Sequence, residues 1–491
     1  MQDSKSSYQK ILKSTSIFGG VQLFNIIVSL VKSKLISVWI GPAGVGIIGL
    51  FNTAISLVSG FTNVGIETSG VKAISTSVKE CDLLTREFSV LKRLAWISGI
   101  FGTIVVAFLS PILSRISFGN EDYTFAFVLI SLTLLFKQLT TSNLVLLQGL
   151  GKIHFLAKVN LYGSLLGLLI SLPLYYFFKF DGIVPSIIFS SMAAMFITFY
   201  FGKKINIGTV KLTNKEVIKE GKHLIIFGFS LSLIGLLTTL SSYLVQVFIS
   251  NYKGISEVGF YSAAMTILNT YVGIIFTAMA TDYYPRLTKI CSDNVQVKKL
   301  VTEQSVIAVL LLTPIVVCFL VFAPNVIRLL YSKDFLPIVP LICWGILGML
   351  LKAVSWSMGY ILIAKGDSKL FIKTSIGFNS VFLITNVLGY YFYGLEGLGI
   401  TFLTNYIIHF FGLKIITKEK YSFEFTSEFY KLFAFCFSIC AITFLTLRIE
   451  SITFRYILLS VLMLFSIWFS YKELNQRLDF KDFIFRKKEQ E

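Results

Sequence analysis

The amino-acid sequence predicts an all-α, polytopic membrane protein with about fourteen transmembrane helices, and three observations carry that expectation. The chain is 55% hydrophobic and only 14% charged over 491 residues, apolar runs of twenty or more residues recur throughout, and its 44 basic residues concentrate in alternate loops. A segment that crosses hydrocarbon must satisfy its own backbone, and a helix of about 20 residues does so while spanning ~30 Å.

The first apolar run, 15–39, follows Lys5, Lys10 and Lys13. Such a start resembles a secretory signal, but no small-residue cleavage site follows and the run is too long and too polar, so it is the first membrane helix. Windows at 44–66, 90–114, 123–149, 156–178 and 183–201 complete an N-lobe, residues 1–201. A linker at 202–221 carries Lys203, Lys204, Lys211, Lys215 and Lys219, with Lys222 just beyond. Its plainer reading is a solvated cytoplasmic loop; the alternative is a surface for lipid head groups. Windows at 223–249, 257–281, 303–327, 337–363, 371–393 and 397–416 form a C-lobe, residues 222–416. The extension 417–491 adds helices at 429–447 and 453–471 and a basic tail in which Arg486, Lys487 and Lys488 anchor the end.

Lys and Arg resist translocation, so their placement orients the helices. With the N-terminus inside, cytoplasmic segments hold 33 basic residues and the opposite loops 7; Lys32, Lys34, Lys137 and Lys352 fall within helices. Both termini are therefore expected in the cytoplasm. The same asymmetry accounts for most of the net charge of +18, which calls for membrane lipids and no nucleic acid as partners. Of the cysteines, Cys81 and Cys291 fall in cytoplasmic loops and Cys318, Cys343, Cys436 and Cys440 in helices, so no extracellular disulfide framework forms. Cys436 and Cys440 share a helix face as packing residues, without the His or carboxylate neighbours of a metal site.

The halves of the chain repeat. At an offset of 215, Gly151 meets Gly366, Lys158 meets Lys373, Tyr175-Tyr176-Phe177 meets Tyr390-Tyr391-Phe392 and Asp181-Gly182 meets Glu396-Gly397. That register superposes Lys137 on Lys352, and nearer the start Val45-Gly46 meets Val258-Gly259 at an offset of 213. Six helices per unit give both copies the same direction, related by an axis along the bilayer normal.

A lysine at mid-bilayer costs about 3 kcal/mol on insertion scales, so Lys137 and Lys352 are expected to face protein or a watered cavity; the plainer reading is a static strut or a snorkelling chain. Thr133, Thr141 and Gln148 share Lys137's side, and Gly345, Gly348, Ser355, Trp356 and Gly359 share that of Lys352. Gln22, Asn25, Ser29 and Lys32 make a polar stripe on the first helix, while Lys34 lies near its end and snorkels. Glu67 and Asp282 end the second and eighth helices at the cytoplasmic side. Arg286 stands either to meet an anion there or to pair with Asp282. A cavity lined by Lys32, Lys137 and Lys352 suits an anion, because each ammonium recovers its desolvation against phosphate oxygens.

Lys34-Leu35-Ile36-Ser37, Ile40-Gly41-Pro42-Ala43-Gly44-Val45-Gly46, Gly65-Ile66 and Gly70-Val71-Lys72 resemble the first two helices of Wzx-type O-antigen translocases. Val258-Gly259-Phe260-Tyr261 and Tyr284-Pro285-Arg286-Leu287 are similar to the family's second half, and the resemblance covers about residues 10–416. The family is the polysaccharide-transport branch of the superfamily that includes multidrug extruders and the lipid II flippase. The resemblance implies a V-shaped, two-lobed fold in the bacterial inner membrane and export of undecaprenyl-pyrophosphate-linked oligosaccharide from the cytoplasmic to the outer leaflet. It implies Lys32, Lys137 and Lys352 as cavity cations, Arg286 at the cytoplasmic mouth, and the polymerase and chain-length proteins of the pathway as further partners. Gln22, Asn25, Ser29, Thr141, Gln148, Trp356 and Tyr271 are candidates to meet sugars. The family suggests proton or sodium gradient coupling, with Glu67, Asp282 and Glu396 as acidic candidates, and with Thr239, Asn379, Thr401 and Glu396 as candidates by analogy.

No cofactor and no enzymatic activity are expected. No Gly-x-x-x-x-Gly-Lys-Ser/Thr loop occurs, His154, His223 and His409 are isolated, and no nucleophile or metal constellation stands out. A small-molecule antiporter of the same fold predicts intramembrane carboxylates, which the lysine-bearing interior opposes. A membrane glycosyltransferase needs catalytic groups in a large outer loop, and the outward loops are short. A lipid II-type flippase differs only in cargo.

Overall fold

The computed structural model describes residues 2–478 apart from Val64 and Lys79, and side chains from Gly20 to Arg477 apart from those two and Thr68, Asn214, His223, Ile226, Phe227, Phe229, Ser230, Leu231 and Thr281; Lys5, Lys10, Lys13, His223 and the tail Arg486-Lys487-Lys488 thus lie outside the described side chains. The described chain is built of helices. They are α1 (Gln2–Trp39), α2 (Gly41–Thr62), α3 (Ile66–Ser77), α4 (Cys81–Phe118), α5 (Thr124–Gly149), α6 (Ile153–Phe178), α7 (Ile183–Lys203), α8 (Asn214–Lys253), α9 (Ile255–Thr266) and α10 (Ile274–Lys289). After them come α11 (Asn294–Leu330), α12 (Val339–Ala364), α13 (Ser368–Tyr421), α14 (Ser427–Thr446) and α15 (Ile452–Leu478). Among them are 13 candidate membrane spans, one of which is the 54-residue α13. Gly394 breaks α13 with φ 59 and ψ −139, and its two arms, counted separately, give the expected fourteen crossings. Large apolar side chains lie on the outside of these helices, Phe108 being 83% exposed, as lipid-facing surfaces require.

Two compact units make up the chain. Unit 1 comprises Met1–Ser262 and Leu330–Ser332, and unit 2 comprises Ala263–Leu329 and Lys333–Glu491. In unit 1, α8 packs on α4: Ser117 Oγ and Tyr243 Oη share a hydrogen bond of 2.6 Å and Asn251 Nδ2 donates to the Ile116 carbonyl at 2.8 Å. Arg86 grips Glu220 through two hydrogen bonds, which hold the Glu220 carboxyl below its usual range. Thr213 and Glu216 form a capping box that starts α8 sharply after the linker. Gly46 and Gly259, equivalent in the repeat, lie against each other, and a Cβ on Gly259 would strike the Pro42 carbonyl. Only glycine permits that approach.

The repeat extends to individual hydrogen bonds. At the α5–α6 turn, Lys152 N donates to Leu147 O at 2.9 Å, and at the α12–α13 turn Asp367 N donates to Leu362 O at 3.3 Å, with Gly151 and Gly366 both at positive φ. Ser186 Oγ donates to Ser171 Oγ at 2.9 Å, where the second copy has Thr401 Oγ1 donating to Asn386 Oδ1 at 3.2 Å. Tyr175 and Tyr390 are fully buried in their respective hairpins. Each of these pairs is 215 residues apart.

Lys179 occupies the place of Gly394 and has φ 48 and ψ −118, a region that suits glycine. Lys179→Gly is accordingly expected to raise stability by about 1 kcal/mol, and Gly394→Ala to lower it by a similar amount. Thermal unfolding of the purified variants, followed by fluorescence-detected size exclusion, measures both.

Candidate functional site

Lys352 sits midway along α12, and unit 2 surrounds it with neutral groups. Its Nζ donates a 2.7 Å hydrogen bond to Asn269 Oδ1. The rings of Phe276, Tyr406 and Phe402 stand around it, with centroids 5.5, 5.5 and 6.0 Å from the ammonium. Such cation–π contacts soften the cost of a charge among apolar helices without cancelling the charge. Asn269 reaches Lys352 from a π-helical turn, Ile267–Tyr271, between α9 and α10. A π turn carries an extra residue and re-aims the side chains in it. Two glycines on α12 make room: a Cβ at Gly345 would press on Leu268 and one at Gly348 on Phe402.

From Lys352 an aromatic path follows α12 toward its C-terminal end. Phe276, one of the rings near Lys352, is 5.6 Å from Trp356; Trp356 is 4.9 Å from Tyr360, and Tyr360 is 5.7 Å from Tyr284. Lys352, Trp356 and Tyr360 recur at steps of four and so share a face over about 12 Å of rise. Tyr283 underlies the path, buried and donating to the Ser357 carbonyl at 2.8 Å. Arg286 and Asp282, at the same end of α10, pair at 3.0 Å while both are largely exposed. An exposed pair of this kind contributes about 0–1 kcal/mol, so an incoming anion can compete for the arginine.

Unit 1 treats its lysines differently. Lys137 is exposed on α5 and has no hydrogen-bond or ion-pair partner among the described residues. Thr133, one turn away, is buried and donates to the Ile130 carbonyl, whereas Thr141 is half-buried and Gln148 exposed. On α1, Gln22 is exposed and Ser29 and Lys32 are half-buried. Asn25 Oδ1 accepts from Ser164 Oγ of α6 at 2.5 Å, so part of the polar stripe is spent on helix packing. Lys34 donates to the Tyr331 carbonyl at 2.5 Å. Glu67 is exposed in the first turn of α3, and Glu396 accepts from Trp344 Nε1 at 2.9 Å.

Several partners escaped the sequence reading. Asn269, Phe276, Phe402 and Tyr406 come from elements far from Lys352 in the chain; an asparagine inside an apolar run was the one signal. His409, isolated in sequence, packs its ring 4.4 Å from Phe378 and 6.1 Å from Tyr406. Beside Lys137, Gln138 is buried and its Oε1 has no hydrogen-bond partner. No group of three or more His, Cys, Asp or Glu side chains suited to a metal ion occurs among the described residues.

Residues 36–340 match a family described as polysaccharide biosynthesis protein. The chain is similar to the lipid III flippase of Escherichia coli strain K12, at 24% identity over 406 residues, covering 79% of this chain and 93% of that protein. Its fold is shared with a solved structure of the lipid II flippase MurJ in an inward closed conformation, at a TM-score of 0.71 and 14% identity, covering 93% of this chain and 99% of that one. An inward-facing multidrug resistance transporter of the MATE family follows at a TM-score of 0.67 and 14% identity, covering 81% and 95%.

Asn269 is the one hydrogen-bond partner of Lys352 among the described residues, and a bond to a charged group contributes about 1.5–3 kcal/mol. Asn269→Leu is therefore expected to lower the unfolding temperature of the purified protein clearly. Lys137→Leu, which breaks no hydrogen bond or ion pair among the described residues, is expected to shift stability by less than about 0.5 kcal/mol.

Proposed function

Since the chain belongs to the polysaccharide biosynthesis protein family, we propose that it is a flippase carrying undecaprenyl-pyrophosphate-linked oligosaccharide, an O-antigen unit or related surface glycan, from the cytoplasmic to the outer leaflet. One observation carries the reading: Lys352 is held by an amide and three rings and, among the described residues, by no carboxylate, so its positive charge stays available to a diphosphate. A carboxylate partner would have neutralised it. The path of Trp356, Tyr360 and Tyr284 offers flat apolar faces with polar edges, which suit sugar rings on the cytoplasmic approach. Arg286 attracts the anion at that end, and Lys137 and Lys32 supply further cations on the first repeat. The relatives named as flippases of lipid III and lipid II support a lipid cargo. An antiporter of cationic drugs, which the MATE likeness would allow, fits poorly with an unneutralised lysine.

The protein acts as a transporter in the inner membrane, with both termini cytoplasmic, and works by alternating access without catalysis. A head group of about two negative charges gains roughly 4.6 kcal/mol per 100 mV on moving outward across an inside-negative membrane, so the potential itself favours export. Proton or sodium antiport through Glu67, Asp282 or Glu396 adds to that drive. Glu396 and Asp282 would first release Trp344 and Arg286.

Lys352→Ala and Lys137→Ala, expressed at normal level in cells lacking the native protein, are expected to abolish surface glycan and to accumulate lipid-linked repeat units on the inner leaflet. Full surface glycan in both single variants and in the double variant would overturn the role of the cations.

A further inference from the structure

The C-terminal helices help enclose a cavity that the translocation reading does not use. It has a volume of about 700 Å³ and lies between the first turns of α11, the start of α14 and the last turn of α15. Val295, Lys298, Thr302 and Val306 line it from α11 at steps of three and four, one face of that helix. Three helix ends meet here, and the basic-residue count places all of them on the cytoplasmic side of the membrane.

The lining is ordered along α11. Lys298, Lys299 and Glu303 lie in the first turns, after Val295, Glu428 joins them from the first turn of α14, and Arg477 from the end of α15. Val306, Ile307 and Leu432 lie deeper, Ile307 about 13 Å along the helix from Lys298. Charge at the interface and hydrocarbon further in is the polarity of a membrane lipid; a free anion would use the outer end alone. Both signs of charge line that outer end. Lys299, Glu303 and Glu428 make no hydrogen bond or ion pair among the described residues. Arg477 is bonded to Glu473 at 3.1 Å and keeps other guanidinium donors. An anionic lipid head would leave the two carboxylates uncompensated beside it, whereas a head with both phosphate and ammonium matches cations and carboxylates together.

We propose that this cavity binds a zwitterionic, ammonium-bearing glycerophospholipid of the inner leaflet. The phosphate sits at Lys298, Lys299 and Arg477, the ammonium at Glu303 and Glu428, and an acyl chain against Val306, Ile307 and Leu432. The site is separate from the surroundings of Lys352 and does not depend on the cargo.

The full-length protein, equilibrated in vesicles of equal phosphatidylethanolamine and phosphatidylglycerol and re-extracted in mild detergent, is expected to retain phosphatidylethanolamine at about tenfold over phosphatidylglycerol by mass spectrometry. Glu303→Gln with Glu428→Gln removes that preference while lipid stays bound, and Lys298→Ala with Lys299→Ala lowers the amount bound. Ile307→Trp, which fills the inner end, lowers it as well. Retained lipid of bulk composition in the native protein overturns the proposal, as does displacement of the lipid by inorganic phosphate, which would make the site one for a free anion. Both readings need no variant. Much greater retention by a chain ending at Leu478 also overturns it, because the cavity would then belong to residues 479–491.

Discussion

A single half-buried ammonium group among apolar helices sets the terms for the packing of unit 2. Lys352 needs an oxygen to accept its hydrogen bond, and hydrocarbon supplies none. Asn269 supplies it, at the cost of a π turn that interrupts the helix between Ile255 and Lys289. Gly345 and Gly348 let that turn and the second arm of α13 come close enough for Phe402 and Tyr406 to face the charge. The same approach brings Phe276 to Trp356 and begins the aromatic path. Cation, glycines, π turn and rings are one arrangement, in which each part accounts for the next.

The first repeat keeps the backbone of this arrangement and drops its chemistry. α5 and α12 begin and end at equivalent residues, and the hairpins that follow share their turn bonds, their positive-φ residues and their buried tyrosines. Yet Lys137 is exposed and has no hydrogen-bond or ion-pair partner among the described residues, where Lys352 is half-buried and bonded to Asn269. Backbone geometry repeats because the turn and the buried polar pair, Ser186 with Ser171 or Thr401 with Asn386, are local to each hairpin. Side-chain surroundings do not repeat because they are supplied by other helices, whose sequences have diverged. The two lysines are thus equivalent in position and different in the work that their surroundings permit.

Much of this was legible beforehand. The helices, their number and the repeat followed from apolar runs and spacing, which depend on residues near one another in the chain. α13 shows the limit of that reading: its two arms were expected as two helices, and Gly394 supplies the break without any intervening loop. The candidate site was legible only in part. Lys137, Lys352 and Trp356 were visible as oddities in apolar helices, but the stripe on α1 did not reveal that Asn25 bonds to Ser164, nor did the end of that helix reveal that Lys34 meets the Tyr331 carbonyl. A membrane helix is apolar on its lipid face and on its protein face alike, so periodicity says little about which residue meets which.

By itself, then, the sequence determined a helical membrane chain, a repeat at an offset of 215, an expected orientation from the positive charges, and the resemblance that the family match supports. Those are consequences of local composition and of register along the chain. Tertiary structure alone decided that Asn269 and three rings surround Lys352, that Lys137 has no such surroundings among the described residues, and that α11, α14 and α15 leave a cavity lined by charged and apolar residues. Each of these rests on contacts between residues from separate helices. Hydrocarbon constrains such contacts only by refusing unsatisfied polar groups, and that rule can be met by many pairings until the packing of the whole chain selects one.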